Sequence, residues 1–74
     1  MKVKYYAIVI AGSKEFYPDP PYTELERINK KIKYLKDYET ENNMPTTRYI
    51  IETLTPARLE QQNREWKEWT SMQD

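Results

Sequence analysis

The chain has 74 residues, with 12 Lys plus Arg against 12 Asp plus Glu and neither histidine nor cysteine, so residues 1–74 are expected to form a single small globular domain without disulfides or a Cys/His zinc site. A domain of this size buries about 60% of its unfolded surface and its core rarely supplies more than roughly 3–5 kcal/mol, which disfavours an enclosed active-site cavity and favours association with another chain. Zero net charge excludes a global field that would draw in nucleic acid or an anionic membrane.

Residues Val3 to Ala11 are rich in β-branched and aromatic types, with Val3, Tyr5, Ala7 and Val9 on one alternating face and Tyr6, Ile8 and Ile10 on the other. Apolar side chains on both faces suit a central strand. Gly12-Ser13 reads as a two-residue hairpin loop, after which Lys14 to Tyr17 returns as a short edge strand. Pro18, Pro20 and Pro21 end it, because proline donates no backbone hydrogen bond.

A helix is expected from Thr23 to Tyr38. Thr23 and Glu26 have capping-box spacing, Leu25, Ile28, Ile32 and Leu35 make one apolar stripe, and Lys33 and Lys36 lie near the negative end of the dipole. Glu39 to Pro45 is a polar loop. Thr46 to Leu54 reads as a second strand, with Tyr49, Ile51 and Thr53 opposite a more mixed face of Arg48, Ile50, Glu52 and Leu54. Thr55-Pro56 is an N-cap followed by proline at the first helical position, opening a helix to Met72. Its stripe, Leu59, Trp66 and Trp69, is interrupted by Gln62 and Asn63, while Glu60, Arg64 and Glu68 are spaced for ion pairs on the exposed face.

The expected fold is α+β: a small mixed sheet of two or three strands, in β-(β)-α-β-α order, covered by two helices. The first strand is central, the second runs parallel to it through a right-handed helical crossover, and the hairpin adds an antiparallel edge. One sheet face is left over, and a symmetric homodimer is the expected cover. The longest apolar run, Ala7 to Ala11, is far short of the roughly 20 residues of a membrane span, and no signal-peptide core is present, so no membrane contact and a cytoplasmic location are expected.

Without histidine or cysteine the commonest general bases and nucleophiles are missing, and a non-catalytic protein without cofactor or metal is expected. Glu39 with Glu41, and Asp19 with Glu15, are the acid pairs suited to acid–base work or a hard cation. They fall in polar loops and read as solvated charge.

The segment Val9 to Phe16, Val-Ile-Ala-Gly-Ser-Lys-Glu-Phe, resembles the small Rossmann-like nucleotide-sensing proteins of the lysine-decarboxylase-like and DNA-processing type, whose first strand ends in a Gly-Ser-Arg/Lys-x-Phe turn. The resemblance implies a phosphate-binding loop at Gly12, Ser13 and Lys14 ahead of the first helix. It covers eight residues. The family's second glycine-rich turn is replaced here by Thr53 to Arg58, which has no glycine.

Two aromatic clusters carry the functional expectation. Phe16, Tyr17 and Tyr22 flank a stretch stiffened by prolines, and Trp66 and Trp69 lie three apart on the last helix. Rigid aromatic anchors give large contact area for little lost entropy, so these five residues are the candidate partner-binding set. The corresponding function is that of a small inhibitor, adaptor or regulator of a larger protein, a profile that resembles in composition the small regulators of phages and mobile elements. The rival is single-stranded nucleic-acid binding through Tyr5, Tyr6 and Tyr49 on the sheet and Lys30, Lys31, Lys33 and Lys36 on the helix.

Overall fold

The computed structural model describes residues 3–72. Its elements are β1 (Tyr6–Ile10), α1 (Leu25–Glu41), β2 (Tyr49–Thr53) and α2 (Pro56–Ser71), the α+β layout of a small sheet and two helices.

β1 and β2 pair antiparallel, with Ile8 opposite Ile51 and Tyr6 opposite Thr53, not parallel as the crossover expectation had it. The hairpin accounts for the difference. After β1 the chain turns through Ala11 to Lys14, a loop of four residues rather than two: the Lys14 amide donates to the Ile10 carbonyl and the Ile10 amide to the Glu15 carbonyl, both at 2.9 Å. Gly12 at φ 95° and Lys14 at φ 60° provide the left-handed backbone for this reversal. The chain then follows the other edge of β1, with Phe16 opposite Val9 and Tyr22 opposite Tyr6. The parallel partners joined by the α1 crossover are therefore this return segment and β2, and β1 lies between them antiparallel to both.

The return segment stays irregular because of its prolines. Tyr17 donates to the Ile8 carbonyl at 2.9 Å, and Tyr6 and Tyr22 exchange backbone bonds at 2.8 and 2.9 Å. Between these contacts residues 18–21 loop out opposite Ala7, since Pro18, Pro20 and Pro21 have no amide hydrogen to give the ladder.

One sheet face meets α1. Ile8, Ile28 and Leu35 form the buried cluster, with Tyr6, Tyr17, Tyr22, Ile32, Tyr49 and Ile51 packed around it. Full burial of an aliphatic side chain contributes about 1.5–3 kcal/mol, so this contact is the main source of packing free energy.

The helix departs from expectation at both ends. Glu24 is the N-cap and no side chain caps the helix, so the Thr23/Glu26 capping box does not form; Glu24 pairs instead with Arg27 at 3.2 Å. At the other end the stripe continues from Leu35 to Glu39, and the helix runs on to Glu41. Asn42 closes it, its side-chain amide donating to the Tyr38 carbonyl at 2.8 Å, and Asn43 takes the left-handed conformation, φ 53°, common just past helix ends. The last turn consequently holds no basic residue, and Lys33 and Lys36 sit too far back to complement the dipole.

The opposite face meets α2. Ala7 and Val9 are fully buried there. Glu52, across from Ala7 on that face, receives Arg58 of α2 through two bonds, Nε at 2.8 Å and Nη2 at 3.1 Å. The helices thus lie on opposite faces of the sheet, and α2 covers part of the second face, where Ile50, across from Val9, remains 42% exposed. The predicted cap is present: the Thr55 hydroxyl accepts from the Arg58 amide at 3.3 Å, with Pro56 next in line. Among the described residues Glu60, Arg64 and Glu68 form no ion pair; the contact on this helix is Gln61 to Glu65 at 2.8 Å. No helix among the described residues is long and apolar enough to cross a membrane.

Candidate interaction cleft

Strand alternation sets the direction of the aromatic pair in the return segment. Phe16, opposite Val9, falls on the α2 side, and Tyr17, opposite Ile8, falls on the α1 side. The Phe16 ring is covered by the Arg58 guanidinium, whose central carbon lies 4.1 Å from the ring centroid. Arg58 is held there by Glu52, by the Lys14 carbonyl at 3.2 Å and by Gln61 at 3.1 Å. Tyr17 packs edge-on against Tyr49 with centroids 6.0 Å apart.

Where the chain loops out after Tyr17 it approaches the second half of α2, and a cleft of about 140 Å³ opens between them. The return segment contributes Phe16, Tyr17, Pro18 and Asp19. From α2 come Gln62, Glu65, Trp66 and Trp69. Residues three apart on a helix are neighbours, and the two indoles stack 5.4 Å apart at an interplanar angle of 14°. Trp66 is half-buried and Trp69 is 37% exposed, so the pair has one side on the protein and one open to solvent.

Gln62 is the floor of this arrangement. It is 1% exposed, and its Nε2 donates to the Asp19 carbonyl at 3.0 Å. A carbonyl only accepts, which fixes the amide orientation and turns Oε1 away from it. Oε1 has no hydrogen-bond partner although it is buried, a condition that costs about 1–3 kcal/mol when uncompensated. Asp19 is tied at both ends, because its carboxylate also accepts from the Tyr22 hydroxyl. Burial raises the Tyr22 hydroxyl well above its ordinary value of 10.0, helped by the hydrogen bond to Asp19 and by that residue's charge. Tyr17 is raised in the same direction, first by burial and then by the Asp19 charge.

Of the five residues singled out by composition, Phe16, Tyr17, Trp66 and Trp69 meet at the cleft. Tyr22 does not: it packs against the Ile8, Ile28 and Leu35 cluster, and its contribution is to anchor Asp19. Gln62, Asp19 and Glu65 were missed. The position of Gln62, three after Leu59 and four before Trp66, was the available signal, since that spacing places it in the stripe rather than across it.

The acid pairs divide. Glu15 and Glu41 are exposed, as surface charges should be. Glu39, read as solvated, is 6% exposed and accepts from the Thr47 amide at 3.2 Å, the Thr47 hydroxyl at 2.6 Å and the Tyr49 hydroxyl at 3.4 Å. It joins the end of α1 to the start of β2, which is why burial of a carboxylate is tolerated there.

The residues of the other two readings lie elsewhere. Gly12, Ser13 and Lys14 sit in the hairpin, and the next element is the return segment rather than the helix that the resemblance implies. Tyr6 and Tyr49 lie beneath α1 against the core rather than on an open sheet. Lys31 is 5.8 Å from the Tyr17 ring and 5.5 Å from Tyr34, and Lys30 reaches Glu26 at 3.7 Å. A wider hollow of about 700 Å³ lies near the start of α2, among Tyr5, Leu54 and Leu59; it contains Tyr5 of the nucleic-acid reading and none of the five residues of the partner-binding set.

No family model, no curated protein and no solved structure matches this chain.

Proposed function

We propose that the protein is a non-catalytic binding module that docks on a larger protein through the cleft between the return segment and α2, acting as an inhibitor, adaptor or regulator. The supporting observation is the convergence of two aromatic clusters, far apart in the chain, on one half-exposed surface. Stacked, rotamer-poor aromatics of this kind concentrate binding energy at interfaces. The volume points the same way: a site for a drug-sized ligand occupies about 300–1,000 Å³, and 140 Å³ is the scale of one inserted side chain.

The test is affinity capture from the native cell with wild-type protein and with Trp66→Ala/Trp69→Ala. Circular dichroism and thermal unfolding of the variant serve as fold controls. A protein partner retained by the wild type and lost by the folded variant is the expected result. Recovery of nucleic acid alone, with salt-sensitive retention, refutes the reading, as does a partner that the variant holds equally well.

A further inference from the structure

The two charged side chains that line the cleft, Asp19 and Glu65, are both acidic. Gln62 carries the buried, unpartnered Oε1 at the floor, Asp19 and Glu65 carry carboxylates, and among the described residues no lysine or arginine lines the space. The Asp19 carboxylate already receives Tyr22, and Glu65 receives Gln61 through one oxygen, but each carboxylate has further lone pairs to offer. Arg58, which covers the Phe16 ring, is held by Glu52, and Lys31 lies 5.8 Å from the Tyr17 ring. A ligand entering the cleft therefore meets acceptors and, among the described lining residues, no competing cation, beside the stacked rings of Trp66 and Trp69.

We infer that the cleft receives an arginine side chain displayed by the partner protein. A guanidinium is planar, stacks on indole, and carries five donors that suit several acceptors at once. Pairing Oε1 of Gln62 with one of those donors would also relieve a buried acceptor that the free protein leaves unsatisfied. The Glu65 carboxylate, at the exposed rim, adds attraction and orientation more than depth.

The inference rests on the docking surface proposed above and adds the chemistry it recognises. Trp66 and Trp69 are the chain's two tryptophans, so indole emission reports directly on the cleft. The protein is titrated with a capped Gly-Arg-Gly peptide, with the same peptide carrying neutral citrulline in place of arginine, and with a short oligothymidylate. Saturable change with the arginine peptide, roughly tenfold weaker binding of the citrulline peptide, and several-fold weakening by Glu65→Gln are expected. Equal binding of the two peptides, no saturation with arginine, or saturation by the oligonucleotide in place of the peptide overturns the inference. Glu65 is exposed, and circular dichroism verifies that its variant is folded. If partner capture depends on Trp66 and Trp69 while the arginine peptide fails to saturate, this inference falls and the docking surface stands. If the peptide saturates while capture ignores the tryptophans, the docking surface falls and with it the partner as the source of the arginine.

Discussion

The two faces of the sheet are covered by helices of nearly equal length, yet the contacts differ in kind. Beneath α1 the buried groups are Ile8, Ile28 and Leu35, an aliphatic cluster, with the polar Glu39 confined to one end and bonded there. Beneath α2 the helix contributes Gln62 as its buried residue, and the seam is completed by the Arg58–Glu52 pair, the Gln62–Asp19 bond and aromatic rings. Aliphatic burial is non-directional and proportional to area, so the first face can be closed completely. A polar and aromatic seam is held by a few directional contacts, and the space between them leaves part of the indole surface exposed. One face is closed by aliphatic packing, and the other keeps a cleft.

The largest effect that tests this contrast is truncation of the α1 contact. Ile28→Ala is expected to cost about 2–5 kcal/mol in urea unfolding, from lost transfer free energy and the cavity left behind. Leu59→Ala, at a half-buried position of α2, is expected to cost less than about half as much, because less surface returns to water. Equal losses would break the distinction between the faces. Next in size is the polar joint at the end of the first face. Glu39→Ala removes the acceptor of Thr47 and Tyr49, and a loss of about 1.5–3 kcal/mol is expected. Glu41→Ala, two residues on and exposed, should stay within about 0.5 kcal/mol of wild type. If the two acids behave alike in chemical unfolding, Glu39 is not the joint between α1 and β2.

The first face was the more legible in the sequence, for a physical reason. Ile28, Ile32 and Leu35 repeat at the helical period and Tyr6, Ile8, Tyr49 and Ile51 at the strand period, so each element announces its buried side without reference to its neighbours. The direction of β2 was not legible that way, because it depends on the hairpin reversing the chain before the crossover, and the return stretch with its prolines reads only as a strand that ends. Glu39 and Gln62 were missed because polarity was taken as exposure. Both occupy stripe positions, Glu39 four after Leu35 and Gln62 three after Leu59, and their burial depends on partners distant in sequence: Thr47 and Tyr49 for one, Asp19 for the other. The aromatic composition marked four of the cleft's residues. That they face one another follows from the bulge at residues 18–21, which no local pattern encodes.

Tyr22 links the two faces and gives the smallest and most diagnostic test. Its ring packs in the α1 cluster, while its hydroxyl donates to Asp19, whose carbonyl receives Gln62 of α2. Burial first, and then the Asp19 hydrogen bond, raise its ionisation above the ordinary value of 10.0, so the folded protein keeps a proton that the unfolded chain gives up. The stability carried by neutral Tyr22 is fully present below pH 10 and is lost as pH rises through the folded-state value. Wild-type urea midpoints should therefore fall as the pH passes 10. Tyr22→Phe has no proton to release at this position and should show a shallower alkaline decline. At neutral pH it loses only the hydroxyl contact, about 0.5–1.5 kcal/mol. Tyr17→Phe, at a site raised chiefly by burial, should flatten the decline less. An alkaline slope identical in wild type and Tyr22→Phe would show that the hydroxyl is not the link, and the two faces would then have to be treated as independent halves joined only through the sheet.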